Sequence, residues 1–195
     1  MSPLRSSSTG RQRSSRADAQ RNRERLIAAA SEAFASDEQP VSMDSIARRA
    51  GVGSGTLYRH FPTREDLVEE VYRDQMQRLR TGAQELLESE SPARALGLWT
   101  ELFADWAATK YGMRDALGVI VATGRVGTGQ MREELIEILR TFLDAGARVG
   151  DLRADADPSV LAALLAGVLI VTAPPDQRRQ IDQMVTVILD GLRPR

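Results

Sequence analysis

The sequence predicts an all-α protein, and three kinds of observation lead to that fold class. Apolar residues recur at intervals of three and four along most of the chain, which places them on one face of a helix. Capping residues, twice followed by proline at the first helical position, mark where such segments begin. No segment alternates apolar and polar residues for long enough to indicate a strand. The pattern amounts to about nine helices.

The first predicted helices follow a tail that is rich in serine and arginine. Residues 1–16 have almost no large apolar side chains, so we expect this basic tail to be disordered. Apolar residues then repeat at helical spacing over 26–34. Ser42 is a good N-cap for a helix over residues 43–50, and a second short helix is expected over roughly 54–60.

The later helices are longer, and several have clear start signals. Thr63 and Asp66 form a capping box that opens one helix, and Ser91 with Pro92 opens the next. Four further helices are predicted over residues 113–122, 130–149, 158–173 and 181–192.

The composition argues against several classes of protein. The 195 residues include no cysteine and one histidine, so the chain has no thiolate nucleophile, disulfide or zinc–sulfur site. We find no nucleophile or metal motif, and we therefore expect no cofactor and no enzymatic activity. The most apolar run, 160–171, is too short to cross roughly 30 Å of hydrocarbon as a helix. We expect a cytoplasmic protein without a membrane partner.

Charge is distributed unevenly along the chain. Residues 1–64 contain 11 arginines against 6 acidic residues, whereas residues 65–195 contain 15 basic against 21 acidic residues. A basic first third next to an acidic remainder indicates one surface for a polyanion and a body with a different role.

The glycine cluster Gly51-Val52-Gly53-Ser54-Gly55 suggests two kinds of site. A phosphate-binding loop would need a preceding strand or a following lysine, and neither is present. A tight corner between two helices needs a residue that tolerates positive φ, which Gly51 supplies, and a small residue where the helices cross, which Ala47 supplies. Ile46, Val52, Leu57 and Phe61 would hold the pair on a third helix. This spacing predicts a helix-turn-helix.

The stretch MDSIARRAGVGSGTLYRHFPTREDLVEEVY, residues 43–72, resembles the DNA-binding region of the tetracycline-repressor-like (TetR) family of bacterial regulators. The resemblance implies a three-helix DNA-binding head over residues 17–63. It implies a larger helical body over residues 64–195, for effector binding and dimerisation.

The expected DNA contacts lie in and around the second short helix. Thr56 and Arg59 face outward if Leu57 and Phe61 face inward, so they are candidates for base contacts. Tyr58 and His60 match positions that approach the DNA backbone in the family, although Tyr58 could instead cap the core of the head. The full predicted set is Ser42, Ser54, Thr56, Tyr58, Arg59, His60 and Arg64.

The resemblance also implies residues for the body. An aromatic stripe in the fifth helix lies in the segment where the family places its ligand pocket, although such stripes more often form core. The ligand-binding candidates are Trp99, Phe103, Trp106, Leu117, Ile120 and Leu139. The last two helices usually pair with a second subunit, and the interface candidates are Leu161, Leu165, Val168, Ile181, Val185, Ile188 and Leu189.

The leading hypothesis is a homodimeric regulator, most often a repressor in this family, that binds a near-palindromic double-stranded DNA operator. A small-molecule effector would release it by favouring another geometry of the two heads. The alternative is a constitutive, ligand-free dimeric DNA-binding protein, and an enzyme is a distant third hypothesis.

Overall fold

The computed structural model describes residues 8–36, 41–171 and 177–194. Across these residues every regular element is an α-helix, which confirms the predicted fold class. The helices are α1 (Ser8–Ala35), α2 (Met43–Arg49), α3 (Ser54–His60), α4 (Arg64–Ser89), α5 (Pro92–Ala122), α6 (Thr128–Val149), α7 (Pro158–Val171) and α8 (Gln177–Gly191). None of the described helices is both long and apolar enough to span a membrane.

The described chain has eight helices where about nine were predicted, because α5 is continuous. The sequence predicted a separate helix over 113–122, but α5 runs unbroken from Pro92 to Ala122. Gly112, which directly precedes that predicted helix, is a point of close packing inside α5. A Cβ atom there would overlap the backbone carbonyl of Phe34 in α1, so the glycine allows two helices to touch.

Helix α1 begins earlier than predicted. It starts at Ser8 and therefore includes residues 8–16, which we expected to be disordered, whereas residues 1–7 lie outside the described part. Between residues 11 and 36 the chain has no glycine or proline and contains many strong helix formers. The helix thus extends before its core-facing stripe, which begins at Leu26.

One hydrophobic core runs through the head and the body. Leu26 of α1, Ile46 of α2 and Leu57 of α3 are fully buried in the head. Helix α4 contributes to both parts, because Leu67 near its start and Leu79 farther along are equally buried. The head is therefore fixed to the body by shared packing as well as by the chain.

Candidate functional site

The turn between α2 and α3 is set by a backbone motif at Gly51. Its φ of 65° is in the left-handed region, which glycine adopts without steric cost. The Val52 amide donates to the Ala47 carbonyl at 3.0 Å, and the Gly51 amide donates to the Arg48 carbonyl at 3.1 Å. These two bonds form a Schellman motif, which ends α2 and directs the chain into α3.

Arg25 of α1 holds this turn in place. Its Nη2 atom donates to the Ala50 carbonyl and lies 3.4 Å from the Gly51 carbonyl oxygen. A Cβ atom on residue 51 would lie 2.6 Å from the same Nη2 atom. Sequence reasoning missed Arg25, since nothing in the pattern links a residue of α1 to a turn 25 positions later.

The two short helices pack as the helix-turn-helix prediction requires. Ile46, Ala47, Leu57 and Phe61 are all buried, and Val52 packs against the same core. With Leu57 facing inward, Tyr58 and Arg59 on the next positions of α3 are exposed.

The outer face of α3 consists of hydroxyl, aromatic and cationic side chains. Tyr58 is 47% exposed, which argues against the alternative that it caps the core of the head. Arg59 is exposed, whereas Thr56 and His60 are half-buried at its sides. This mixture suits phosphate oxygens and base edges in a major groove.

Ser42 and Ser54 have local partners at the starts of their helices. The Ser42 hydroxyl accepts from the Ser45 amide at 3.1 Å and therefore caps α2. The Ser54 hydroxyl donates to the Asp44 carboxylate at 2.6 Å. Asp44, which was not among the predicted contacts, thus brings a negative charge to the N-terminal end of α3.

Arg64 has contacts within the protein. Its guanidinium group donates to the Val41 carbonyl and lies 5.2 Å from the centre of the Phe34 ring. These contacts join the start of α4 to α1 and to the residue before the N-cap of α2. The Arg64 side chain therefore holds the helices of the head in position.

The six predicted ligand-binding residues form part of the core. None is more than 6% exposed. Trp99 stacks on Phe103 at 5.6 Å between ring centres, and its Nε1 atom donates to the Leu79 carbonyl at 2.8 Å. The structure therefore favours the alternative that this aromatic stripe is core. Trp106 has a buried Nε1 atom with no hydrogen-bond partner in the described structure.

The predicted dimer-interface residues need a correction. Five of them are no more than 5% exposed and pack inside this chain, so they do not face a partner: Leu161, Leu165, Val168, Ile181 and Val185. Ile188 and Leu189 are half-buried. Among the side chains of α7 and α8 that the structure describes, the large exposed apolar ones are Val160, Leu164, Met184 and Val187, at 55%, 49%, 38% and 72%. Whether α7 and α8 form the interface stays a prediction, but the residues named for it lie on their inward faces, because α7 is apolar on every side and sequence alone does not set its rotation.

An ion-pair cluster ties the body to the start of α4. Arg125, between α5 and α6, lies 2.7 Å from the Asp66 carboxylate and 2.5 Å from that of Glu69. The other oxygen of Asp66 accepts from the Thr63 amide at 2.9 Å, which completes the predicted capping box. The hydrogen bond from Thr63, followed by that from Arg125, lowers the pKa of Asp66 below its ordinary value.

Two short helices joined by a glycine turn and packed on α1, with Tyr58 and Arg59 exposed on the second helix, define a DNA-binding protein of the helix-turn-helix class. Comparison with known proteins agrees. The family model for bacterial regulatory proteins of the tetR family matches residues 26–71. The model for the C-terminal domain of SbtR-like transcriptional regulators matches residues 91–194.

Individual relatives show the same likeness over most of their length. The TetR transcriptional regulator SCO0520 from Streptomyces coelicolor is 42% identical, with a TM-score of 0.79 over 88% of this chain and 98% of that one. A TetR regulatory protein from Mycobacterium vanbaalenii is 39% identical, with a TM-score of 0.70 over 91% and 98%. The repressor KstR2 from Rhodococcus jostii (strain RHA1) is 28% identical over 75% of this chain and 78% of its own.

The chain belongs to the TetR family and is a transcriptional regulator, not an enzyme.

Proposed function

We propose that the protein is a homodimeric repressor that binds a near-palindromic operator and is released by a small molecule. The observation that carries the proposal is the outer face of α3, where Tyr58 and Arg59 are exposed on a helix whose entry angle is fixed by the Gly51 turn. The description of KstR2 as a repressor supports the direction of regulation.

In this proposal α3 enters the major groove of double-stranded DNA. Arg59 approaches base edges because it lies on the exposed face opposite the buried Leu57, and the half-buried Thr56 approaches them from the side of that face. Tyr58, His60 and the N-cap Ser42 contact phosphates. Ser54 and Arg64, which have partners inside the protein, position the head instead.

A second copy of the chain is the proposed occupant of the exposed apolar face of α7 and α8. That face is defined by Val160, Leu164, Met184 and Val187. Large exposed apolar side chains grouped on two neighbouring helices favour burial against an identical surface across a two-fold axis. Such a dimer would present two heads to two half-sites.

We assign residues 17–63 to the DNA-binding head and residues 64–195 to the effector-binding and dimerisation body. Because the proposed partner is chromosomal DNA of a bacterium, we place the protein in the cytoplasm. An effector would act by stabilising a geometry that does not fit the operator, with a coupling free energy of about 1–3 kcal/mol.

A constitutive, ligand-free dimer is the second candidate function. It is favoured by the dense packing of Trp99, Phe103 and Trp106, whose rings lie 5.4–5.6 Å apart where the family resemblance suggested a ligand pocket. The unpartnered Nε1 atom of Trp106 argues in the other direction, since a bound acceptor would satisfy it.

The first experiment measures binding of the purified protein to DNA from upstream of its own gene, across a salt series and against a scrambled competitor. We expect Arg59→Ala and Tyr58→Ala each to weaken specific binding about tenfold or more. Arg132→Ala, which removes an exposed arginine of α6, is the matched control and should leave binding unchanged. Parent-like binding by both α3 variants would contradict the assignment of the recognition helix.

A further inference from the structure

A cavity of about 340 Å³ lies between α4, the α5–α6 connection and the start of α6. It shares no lining residue with the aromatic stripe of α5. Its main lining residues are Tyr72, Met76, Arg80, Arg125, Val126 and Glu134. Its volume lies within the range of small-molecule sites.

A buried hydroxyl group in the wall of this cavity has no partner. Tyr72 is 3% exposed, and its phenolic oxygen makes no hydrogen bond in the described structure. Buried polar groups are ordinarily paired, so this one calls for an acceptor from outside the protein. Burial, followed by the charge of Glu134, raises the pKa of Tyr72, so the hydroxyl remains a donor at neutral pH.

Arginines outnumber acidic residues in the lining of the cavity. Arg73, Arg80 and Arg125 line it against Glu134, and Arg73 pairs with Glu69 and Glu70 of α4. Arg125 pairs with acidic residues of α4, whereas Arg80 contacts the Gln77 side chain at 3.4 Å. Glu134 on the opposite wall accepts from Gln130 at 3.1 Å. A guanidinium and a phenol in one wall are the donor pair that a carboxylate accepts.

We propose that this cavity binds a small organic acid. The carboxylate accepts hydrogen bonds from the Tyr72 hydroxyl and the Arg80 guanidinium, and the apolar part of the acid packs on Met76 and Val126. Binding itself does not depend on the proposed repressor function, but its regulatory consequence does.

The regulatory consequence follows from the two roles of Arg125. Its guanidinium lines the cavity and also pairs with Asp66, which caps the first turn of α4 directly after the recognition helix α3. A carboxylate held by Tyr72 and Arg80 lies in the same cavity as Arg125, so its charge also attracts that guanidinium and competes with Asp66 and Glu69 for it. A bound acid therefore weakens the ion pair that connects the α5–α6 connection to the start of α4. Because α4 follows α3 directly, this changes the contacts that hold the head on the body.

The test uses the full-length protein without DNA and a series of straight-chain carboxylates from butyrate to decanoate, each with its primary amide as the uncharged control. Calorimetry should show saturable binding of at least one acid and about tenfold weaker binding of its amide. Tyr72→Phe and Arg80→Gln should each lower the affinity for that acid about tenfold. Glu134→Gln should raise the affinity for the acid, because it removes a negative charge near the carboxylate. Arg132→Gln is the control and should leave the affinity unchanged.

Absence of saturable binding across the series would overturn the proposal, and so would equal binding of acid and amide. Binding that survives both Tyr72→Phe and Arg80→Gln would place the acid elsewhere and would overturn it as well. Arg80 is exposed, so its variant reports on binding even if Tyr72→Phe alters folding. Operator binding without acid is measured separately, so failure here is distinguishable from failure of the repressor proposal.

Discussion

Replacing Gly51 with alanine tests the turn that orients the recognition helix. The backbone has a φ of 65°, and left-handed geometry costs an ordinary residue about 1–2 kcal/mol. The new Cβ would also lie 2.6 Å from Arg25 Nη2, so the guanidinium must move and its hydrogen bonds to the turn weaken, at a cost of about 1 kcal/mol. We therefore expect Gly51→Ala to lower the free energy of unfolding by about 2–3 kcal/mol.

Thermal unfolding followed by circular dichroism measures this effect. For a chain of this size each kcal/mol lowers Tm by about 2–4 °C, so the expected decrease is about 4–12 °C. The matched control is Gly55→Ala inside α3, where a Cβ meets no atom within 4 Å. Alanine should stabilise that helix by up to about 1 kcal/mol. If Gly51→Ala melted at or above the Tm of the parent, the argument from the left-handed turn would be refuted.

Three further predictions concern the cap of α4, the core and the apolar face. Asp66→Asn should destabilise the protein by about 1 kcal/mol at neutral pH. Because folding lowers the pKa of Asp66, its contribution is present above the ordinary value of 3.8 and is lost as pH falls through the lowered pKa. The free energies of unfolding of parent and Asp66→Asn, measured in urea, should therefore become equal as the pH falls into the acid range. A difference that stays constant with pH would contradict this account. Trp99→Phe removes the 2.8 Å hydrogen bond to the Leu79 carbonyl and leaves a void in the core. The midpoint of its urea unfolding should therefore fall by the equivalent of about 2 kcal/mol. An unchanged midpoint would mean that this hydrogen bond and the packing of the indole contribute little to stability. If the proposed dimer forms through this face, Val187→Glu should convert it into folded monomers in analytical ultracentrifugation, whereas Val149→Glu, at a similarly exposed site on α6, should not. Dimers that persist in Val187→Glu would locate the interface elsewhere.

The parts of this structure that follow from local chemistry were predictable from the sequence. The turn at Gly51 and the capping box of Thr63 and Asp66 involve atoms a few residues apart, so residue type and spacing are sufficient to predict them. The burial of Leu57 against the exposure of Arg59 likewise follows from helical periodicity.

The parts that depend on tertiary packing were not predictable. The rotation of α7 about its axis decides that Leu161 is buried and Val160 is exposed, yet both residues are apolar. The contacts of Arg64 and Arg25 with distant backbone carbonyls have no sequence signature, and nothing in the spacing showed that Arg125 would reach Asp66. Each of these depends on where a second element lies.

The contact between Gly112 and the Phe34 carbonyl has a mechanical consequence. With no side chain between them, α1 and α5 approach backbone to backbone at Gly112, and we expect this contact to act as a pivot. Sliding of one helix along the other would carry the glycine out of register and bring larger side chains into the crossing, whereas a change of angle keeps the glycine in place. We therefore expect the head to tilt about this contact more readily than it shifts along α5. In the proposed dimer, the distance between the two heads would then depend on that angle.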